Sequence, residues 1–311
     1  PPPATPNLFE LARVHEVIEG HICDIRDAAQ LQTIVRQAAP EVVFHLAAQS
    51  LVRASYDEPI GTFSTNVMGT LHLLDAMRGL PSVKVAVLVT TDKVYRNREW
   101  VYPYREDDEL GGRDPYSASK AACEIAVASY RDSFFESQGV AVATARAGNV
   151  IGGGDWSDDR LIPDAVRAWT IGETLEIRRP DATRPWQHVL EPLVGYLVLA
   201  QRLWVEPRQA GAWNFGPASE EAASVRTVVG LAARDWAGAK TRFVTTEQGP
   251  HEAGMLALEV AKTRTKLGVW PRWDLELAVK KTMTWYRAVA AGADARAQCE
   301  ADFADFEVRV A

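Results

Sequence analysis

Apolar residues recur along this chain with two different spacings, and the two alternate. Runs that read as strands lie at 41–48 (EVVFHLAA), 83–89 (VKVAVLV), 139–146 (GVAVATAR) and 212–216 (AWNFG), continuous in the way of strands buried on both faces. A further run, 17–23 (VIEGHIC), reads as a strand that ends in Asp24-Ile25-Arg26-Asp27. Between them the period lengthens. Residues 28–38 have helical composition; Phe63, Val67, Leu71 and Leu74 recur at helical spacing, as do Val189, Leu193, Tyr196, Leu197 and Leu203. Residues 225–237 read as helix, 241–246 as extended chain, and a long helix is expected after 266–271. Strands alternating with helices predict an α/β fold, a doubly wound parallel sheet. The proline-rich opening, PPPATP, reads as an extended connection.

Two acid/base elements follow the 83–89 strand, where parallel sheets carry their ligand-binding groups. Thr90-Thr91-Asp92-Lys93 sets an acid beside an amine, so that Asp92 could give a proton and Lys93 take one. Tyr116-Ser-Ala-Ser-Lys120 lies on a helix expected to begin near Asp114 or Pro115, which makes Tyr116 and Lys120 neighbours on one face. A phenol titrates near pH 10. A neighbouring ammonium should bring it closer to working range as a base. At the end of the 41–48 strand, Leu46, Ala47 and Ala48 are small or apolar enough to line a ligand, whereas His45 reads as a core histidine and Asn66 as structural. The segment AGNVIGGGDW (147–156) brings three adjacent glycines to a strand end, with spacing unlike a phosphate-binding Walker loop.

Composition narrows the class. In 311 residues, 47% are hydrophobic and 24% charged, enough for one large or two small domains. A net charge of -7 argues against nucleic acid or an anionic membrane as main partner. No apolar run approaches a membrane span, no secretory pattern opens the chain, and a cytoplasmic location is expected. Three cysteines, Cys23, Cys123 and Cys299, with no CxxC, suggest free thiols rather than a disulfide framework or metal site.

TTDKVY followed by YxxxK resembles the extended short-chain dehydrogenase/reductases, and within them the nucleotide-sugar 4,6-dehydratases. NREWVYPYRE (97–106), GGRDPYSASKAACE (111–124), RAGNVIGGGDW (146–156) and TRPWQHVLEPLVGYL (183–197) are most similar to the CDP-glucose subgroup. The resemblance implies a Rossmann-like NAD-binding domain at 1–150, to which 186–217 returns, and a mainly substrate-binding domain at 151–311. It implies an NAD-dependent hydro-lyase of deoxysugar and lipopolysaccharide biosynthesis. Tyr116, supported by Lys120 and Thr91, would deprotonate the C4 hydroxyl of the hexose; Lys93 would take the C5 proton and Asp92 protonate the departing C6 hydroxyl. Asp24 and Ile25 would lie against adenine, although Asp24 or Asp27 reads equally as a helix N-cap. Leu46, Ala47, Ala48, Thr90, Tyr116 and Lys120 complete the expected cofactor contacts. Asn149 would touch the substrate diphosphate, and Arg184, whose guanidinium matches paired phosphate oxygens, would clamp it. A homodimer or dimer of dimers packing the helices at 62–77 and 116–135 is also implied.

Two departures qualify this. The dTDP-glucose dehydratases have Glu where Lys93 stands, and no GxxGxxG turn for the cofactor pyrophosphate occurs in these residues. Roughly 30 to 40 residues carrying that turn are therefore expected ahead of Pro1, and residues 1–311 alone are expected not to fold. A UDP-sugar or dTDP-glucose dehydratase and a 4-epimerase remain as alternatives, and a non-catalytic NAD-binding sensor or scaffold as a further one.

Overall fold

A computed structural model of the chain describes residues 5–244 and 254–308. At its centre, strands β1 (Val42–His45), β2 (Val85–Val89), β3 (Ala141–Ala147) and β4 (Gly211–Phe215) run parallel in the order 1-2-3-4. The register sets Val42 opposite Val85, Val85 opposite Ala141 and Ala143 opposite Gly211. Parallel neighbours need crossovers, and here these are helical. Helices α1 (Ala28–Ala38), α2 (Gly69–Met77), α3 (Pro115–Tyr130) and α4 (Leu190–Val205) supply the cover.

The period of two along β2 sorts side chains between the two faces. Ala86 and Leu88 pack with Leu31 and Val35 of α1, Leu74 and Met77 of α2, and Val127 of α3. Val85 and Val87 pack on the other face with Tyr196, Leu199 and Leu203 of α4 and with Trp213. Asp27 caps α1 by accepting from Gln30 N at 3.0 Å. A separate core joins Trp169, Ile177, Trp186, Val228, Met283 and Trp285, beyond the strand ends.

Two expectations are corrected. Residues 17–23 form no strand: a 3-10 turn at Val14–Glu16 leads into irregular chain, with Val17, Ile18 and Ile22 exposed by 60, 50 and 72%. A strand is held by its neighbour's hydrogen bonds, and among the described residues nothing pairs with the edge of β1 away from β2. The helical stripe of Phe63, Val67 and Leu71 is also not the inward one. A π-helical turn at Ser64–Met68 directs Thr62, Asn66 and Thr70 inward and leaves Phe63 exposed. Asn66 accepts from Gln49 N at 2.8 Å and donates to Gln49 O at 3.0 Å, pairing with backbone as a strand would. The expected strand at 241–246 is observed as Lys240–Phe243; Thr245 and Thr246 lie outside the described residues.

Candidate active site

Strand β2 ends in a single 3-10 turn, Asp92–Val94, that Thr91 organises. The Thr91 hydroxyl accepts from Lys93 N at 3.4 Å and donates to Asp92 Oδ1 at 3.0 Å. Lys93 Nζ donates to the same oxygen at 3.0 Å. Asp92 is completely buried, while the Lys93 side chain keeps 29% of its surface. Asp92 Oδ2 is buried without a hydrogen-bond partner and lies close to Gly148. A Cβ at Gly148 would stand 3.2 Å from that oxygen and 2.5 Å from Pro185 Cγ, so only glycine fits beside the acid.

Helix α3 starts where the sequence places its cap. Asp114 accepts from Ser117 N at 2.8 Å and from Ser117 Oγ at 2.6 Å, and Pro115 opens the first turn. The start puts Tyr116 over the end of β2, its own N–H donating to Ser55 Oγ at 3.1 Å. Lys120, one turn on, donates from Nζ to Val89 O at 3.0 Å. Burial pushes the Tyr116 hydroxyl up to about 12, against a hydrogen bond with Thr91 that lowers it and a contribution from Asp92 that raises it. Burial likewise drives Lys120 toward its neutral form. The expected lowering of the phenol by its lysine is not observed: Lys120 turns its amine to Val89 O, and desolvation, which penalises the charged form of either group, sets the direction.

Thr91, Asp92, Lys93 and Tyr116 form the floor of a cavity of about 670 Å³, and Lys120 lies behind them, outside its lining. Thr90, Thr91, Asp92, Lys93, Tyr116, Asn149 and Arg184 all line it. Asn149 Oδ1 is buried without a partner, and Arg184 Nη1 donates to Thr183 O at 2.9 Å. Sequence reasoning missed six further cations in the wall: Arg53, Arg96, Arg113, Arg160, Arg178 and Arg179. Arg53 meets Asp159 at 3.1 Å and Arg160 donates to Ser50 Oγ at 3.2 Å. The Arg178-Arg179 pair directly after the strand Thr174–Ile177 was the one local signal.

Of the expected cofactor contacts, Thr90 and Tyr116 line the cavity, whereas Asp24, Ile25, Leu46, Ala47, Ala48 and Lys120 lie outside that lining. Leu46 and Ala47 are exposed at the end of β1, one strand over from Thr90, and could cover a flat ring. Asp24 turns back on Arg26, bonding its N–H at 2.9 Å, and that guanidinium holds the carboxyl down at about 2. Ile25 packs against Gly69 of α2. A dinucleotide lies across the carboxyl ends of such strands. Tyr116, Lys120 and the residues after β1 would meet its nicotinamide end.

The family model described as GDP-mannose 4,6 dehydratase matches residues 4–282. The chain belongs to the GDP-mannose 4,6 dehydratase family. A CDP-glucose 4,6-dehydratase of Salmonella typhimurium is 46% identical over 298 residues, 94% of this chain and 83% of the relative. A dTDP-glucose 4,6-dehydratase of Streptomyces antibioticus is 30% identical over 274 residues, 85% and 75% of the two chains. In fold, the chain superimposes on UDP-glucose 4-epimerase of Thermotoga maritima with TM-score 0.76 and 22% identity, covering 87% of this chain and 84% of the other. The dTDP-glucose 4,6-dehydratase of Bacillus anthracis solved with NAD gives 0.71 and 22%, covering 85% and 78%. These structures bear out the expected α/β fold with a parallel sheet.

Proposed function

We propose that this chain is an NAD-dependent nucleotide-sugar 4,6-dehydratase acting on CDP-glucose and yielding CDP-4-keto-6-deoxyglucose. The observation that carries the reading is the Asp92–Lys93 pair, 3.0 Å apart, on the same cavity floor as Tyr116. A 4-epimerase needs only the tyrosine and the cofactor; elimination of water also needs an acid and a base near C5 and C6. The 46% identity to a CDP-glucose 4,6-dehydratase supports the choice of nucleotide. NAD, when bound, accepts hydride from C4 and returns it at C6.

The chain's own residues move the protons. Tyr116 takes the C4 hydroxyl proton, with Lys120 and Thr91 supporting the phenolate. Oxidation at C4 acidifies C5–H. A proton passing from Lys93 Nζ to Asp92 along their 3.0 Å hydrogen bond leaves an amine that can take a proton beside an acid that can give one. Lys93 then takes the C5 proton and Asp92 delivers one to the departing C6 hydroxyl. Arg184, Arg178 and Arg179 face the diphosphate, and Asn149 bonds it. In this reading residues 1–150, with 186–217, hold NAD, Asp24 and Ile25 lying at its adenine, and 151–311 mainly bind the nucleotide sugar.

The same proposal includes a homodimer formed by the helices at 62–77 and 116–135, supported by Ile60 and Ile125, exposed by 81 and 62% on neighbouring surfaces. Light scattering at micromolar concentration should report a dimer or larger, and a monomer for Ile125→Glu. A cytoplasmic location is part of the reading, supported by three unpaired thiols. Among the described residues no helix is long and apolar enough to cross a membrane. Incubating the NAD-loaded protein with CDP-glucose, UDP-N-acetylglucosamine and dTDP-glucose in turn tests the activity. Alkali-induced absorbance of a 4-keto sugar should rise with the first; its absence with all three refutes the assignment.

A further inference from the structure

Lys120 and Glu124 are the two charged residues of α3, and the chemistry above gives Glu124 no role. It lies two turns beyond Tyr116 and one beyond Lys120, so the three share a helix face. Their contacts fall on three consecutive residues at the end of β2. Lys120 Nζ donates to Val89 O at 3.0 Å, Thr90 Oγ1 donates to Glu124 Oε1 at 2.5 Å, and the Tyr116 hydroxyl meets that of Thr91. The remaining Glu124 oxygen ties the pair to β3, accepting from Thr144 Oγ1 and from Arg146 Nη2, each at 2.7 Å. Arg146 Nη1 in turn donates to the Tyr95 hydroxyl and Glu106 O at 2.9 Å, closing the network around the loop that carries Asp92 and Lys93.

Packing does not account for a carboxylate here. The Glu124 and Arg146 side chains are 3 and 4% exposed, and an ion pair that deep is often no more stable than apolar residues of the same volume. What a carboxylate adds is fixed negative charge one turn from Lys120, an amine that burial pushes toward neutrality. The groups facing Lys120 are His45 at the end of β1 and Tyr116, Cys123 and Glu124 on α3, with Arg146 of β3 turned onto Glu124. Burial keeps His45 and the Cys123 thiol neutral, which leaves Glu124 as the anion of the group.

We propose that Glu124 is a positioning residue of this site: it locks the Thr90-Thr91-Asp92 strand end in register with the Tyr116–Lys120 face and keeps Lys120 in its ammonium form. The proposal rests on the proton-transfer role given to Tyr116. The test has two readouts on the full NAD-loaded chain. One is the pH dependence of the first half-reaction, followed as reduced-cofactor absorbance in a single turnover on CDP-glucose. The other is the titration of Lys120 Cε in lysine-labelled protein by NMR, with the resonance assigned by its loss in Lys120→Arg.

In Glu124→Gln the alkaline limb of the rate and the Lys120 titration should both move down by about 1 pH unit or more. In Lys120→Arg/Glu124→Gln the limb should match that of Lys120→Arg, because a guanidinium stays charged throughout. A Glu124→Gln limb and titration that coincide with wild type overturn the proposal, as does a shift that persists with Arg at 120. Should Glu124→Gln leave Arg146 uncompensated and fail to fold, Glu124→Gln/Arg146→Met removes both charges, and a smaller downward shift is expected because loss of the guanidinium offsets part of it; no shift in the double variant overturns the proposal. Absence of turnover on CDP-glucose with the NMR shift present would refute the substrate and leave the role of Glu124 standing.

Discussion

Replacing Asp92 by asparagine separates the two halves of the proposed reaction. The amide keeps the shape and can still accept from Thr91 and Lys93, whose donors stand 3.0 Å from Oδ1. It removes the charge and the titratable proton. The Thr91 bond becomes neutral and the Lys93 bond loses its anionic acceptor, which weakens the fold by about 1 to 3 kcal/mol, at the lower end because Lys93 keeps 29% exposure to water. A domain with a margin of about 5 to 15 kcal/mol survives that. Loss of a general acid slows its step by about 10² to 10⁴, or about 3 to 5.5 kcal/mol on the barrier. Oxidation at C4 does not use that proton. With CDP-glucose added to the NAD-loaded Asp92→Asn protein, reduced-cofactor absorbance should therefore rise and persist while product appears slowly. Absorbance that never exceeds the wild-type level, in a protein with a cooperative melt, refutes Asp92 as the acid.

Tyr116→Phe should abolish turnover by about 10² to 10⁴ with the melting temperature little changed, because the phenol makes one side-chain hydrogen bond, to Thr91; a variant of unchanged rate would remove Tyr116 from the mechanism. Lys93→Ala should slow exchange of the C5 proton with solvent, seen as loss of deuterium incorporation at C5 of recovered substrate and product, and exchange at the wild-type rate would move that role elsewhere. Stability should fall on acidification between about pH 6.5 and about pH 4, because burial holds His45 and His188 down at about 4 and the unfolded chain binds their protons first. Each contributes about 3 kcal/mol over that window, so His45→Gln or His188→Gln should flatten a plot of melting temperature against pH; a slope unchanged in both would show that other groups set it.

Local chemistry was enough to read much of this chain. A run such as VKVAVLV is apolar on both faces and can only be a buried strand, an Asp-Pro ahead of YSASK can only start a helix, and helix geometry then makes Tyr116 and Lys120 neighbours. Those features depend on residues within one or two turns of each other, so the four core strands, the start of α3 and the site at the end of β2 were visible without coordinates. What needed the tertiary structure depends on partners far away in the chain. Residues 17–23 have strand composition and no strand beside them, and backbone hydrogen bonds cannot be made alone. Asn66 found Gln49, Glu124 found Thr90 and Arg146, and Arg53 met Asp159 across the cavity; none of these pairings leaves a periodic trace. Burial also decided the sign of the shift at Tyr116. The sequence shows the lysine one turn away, but only packing shows that its amine turns to Val89 O and that water is excluded from the phenol.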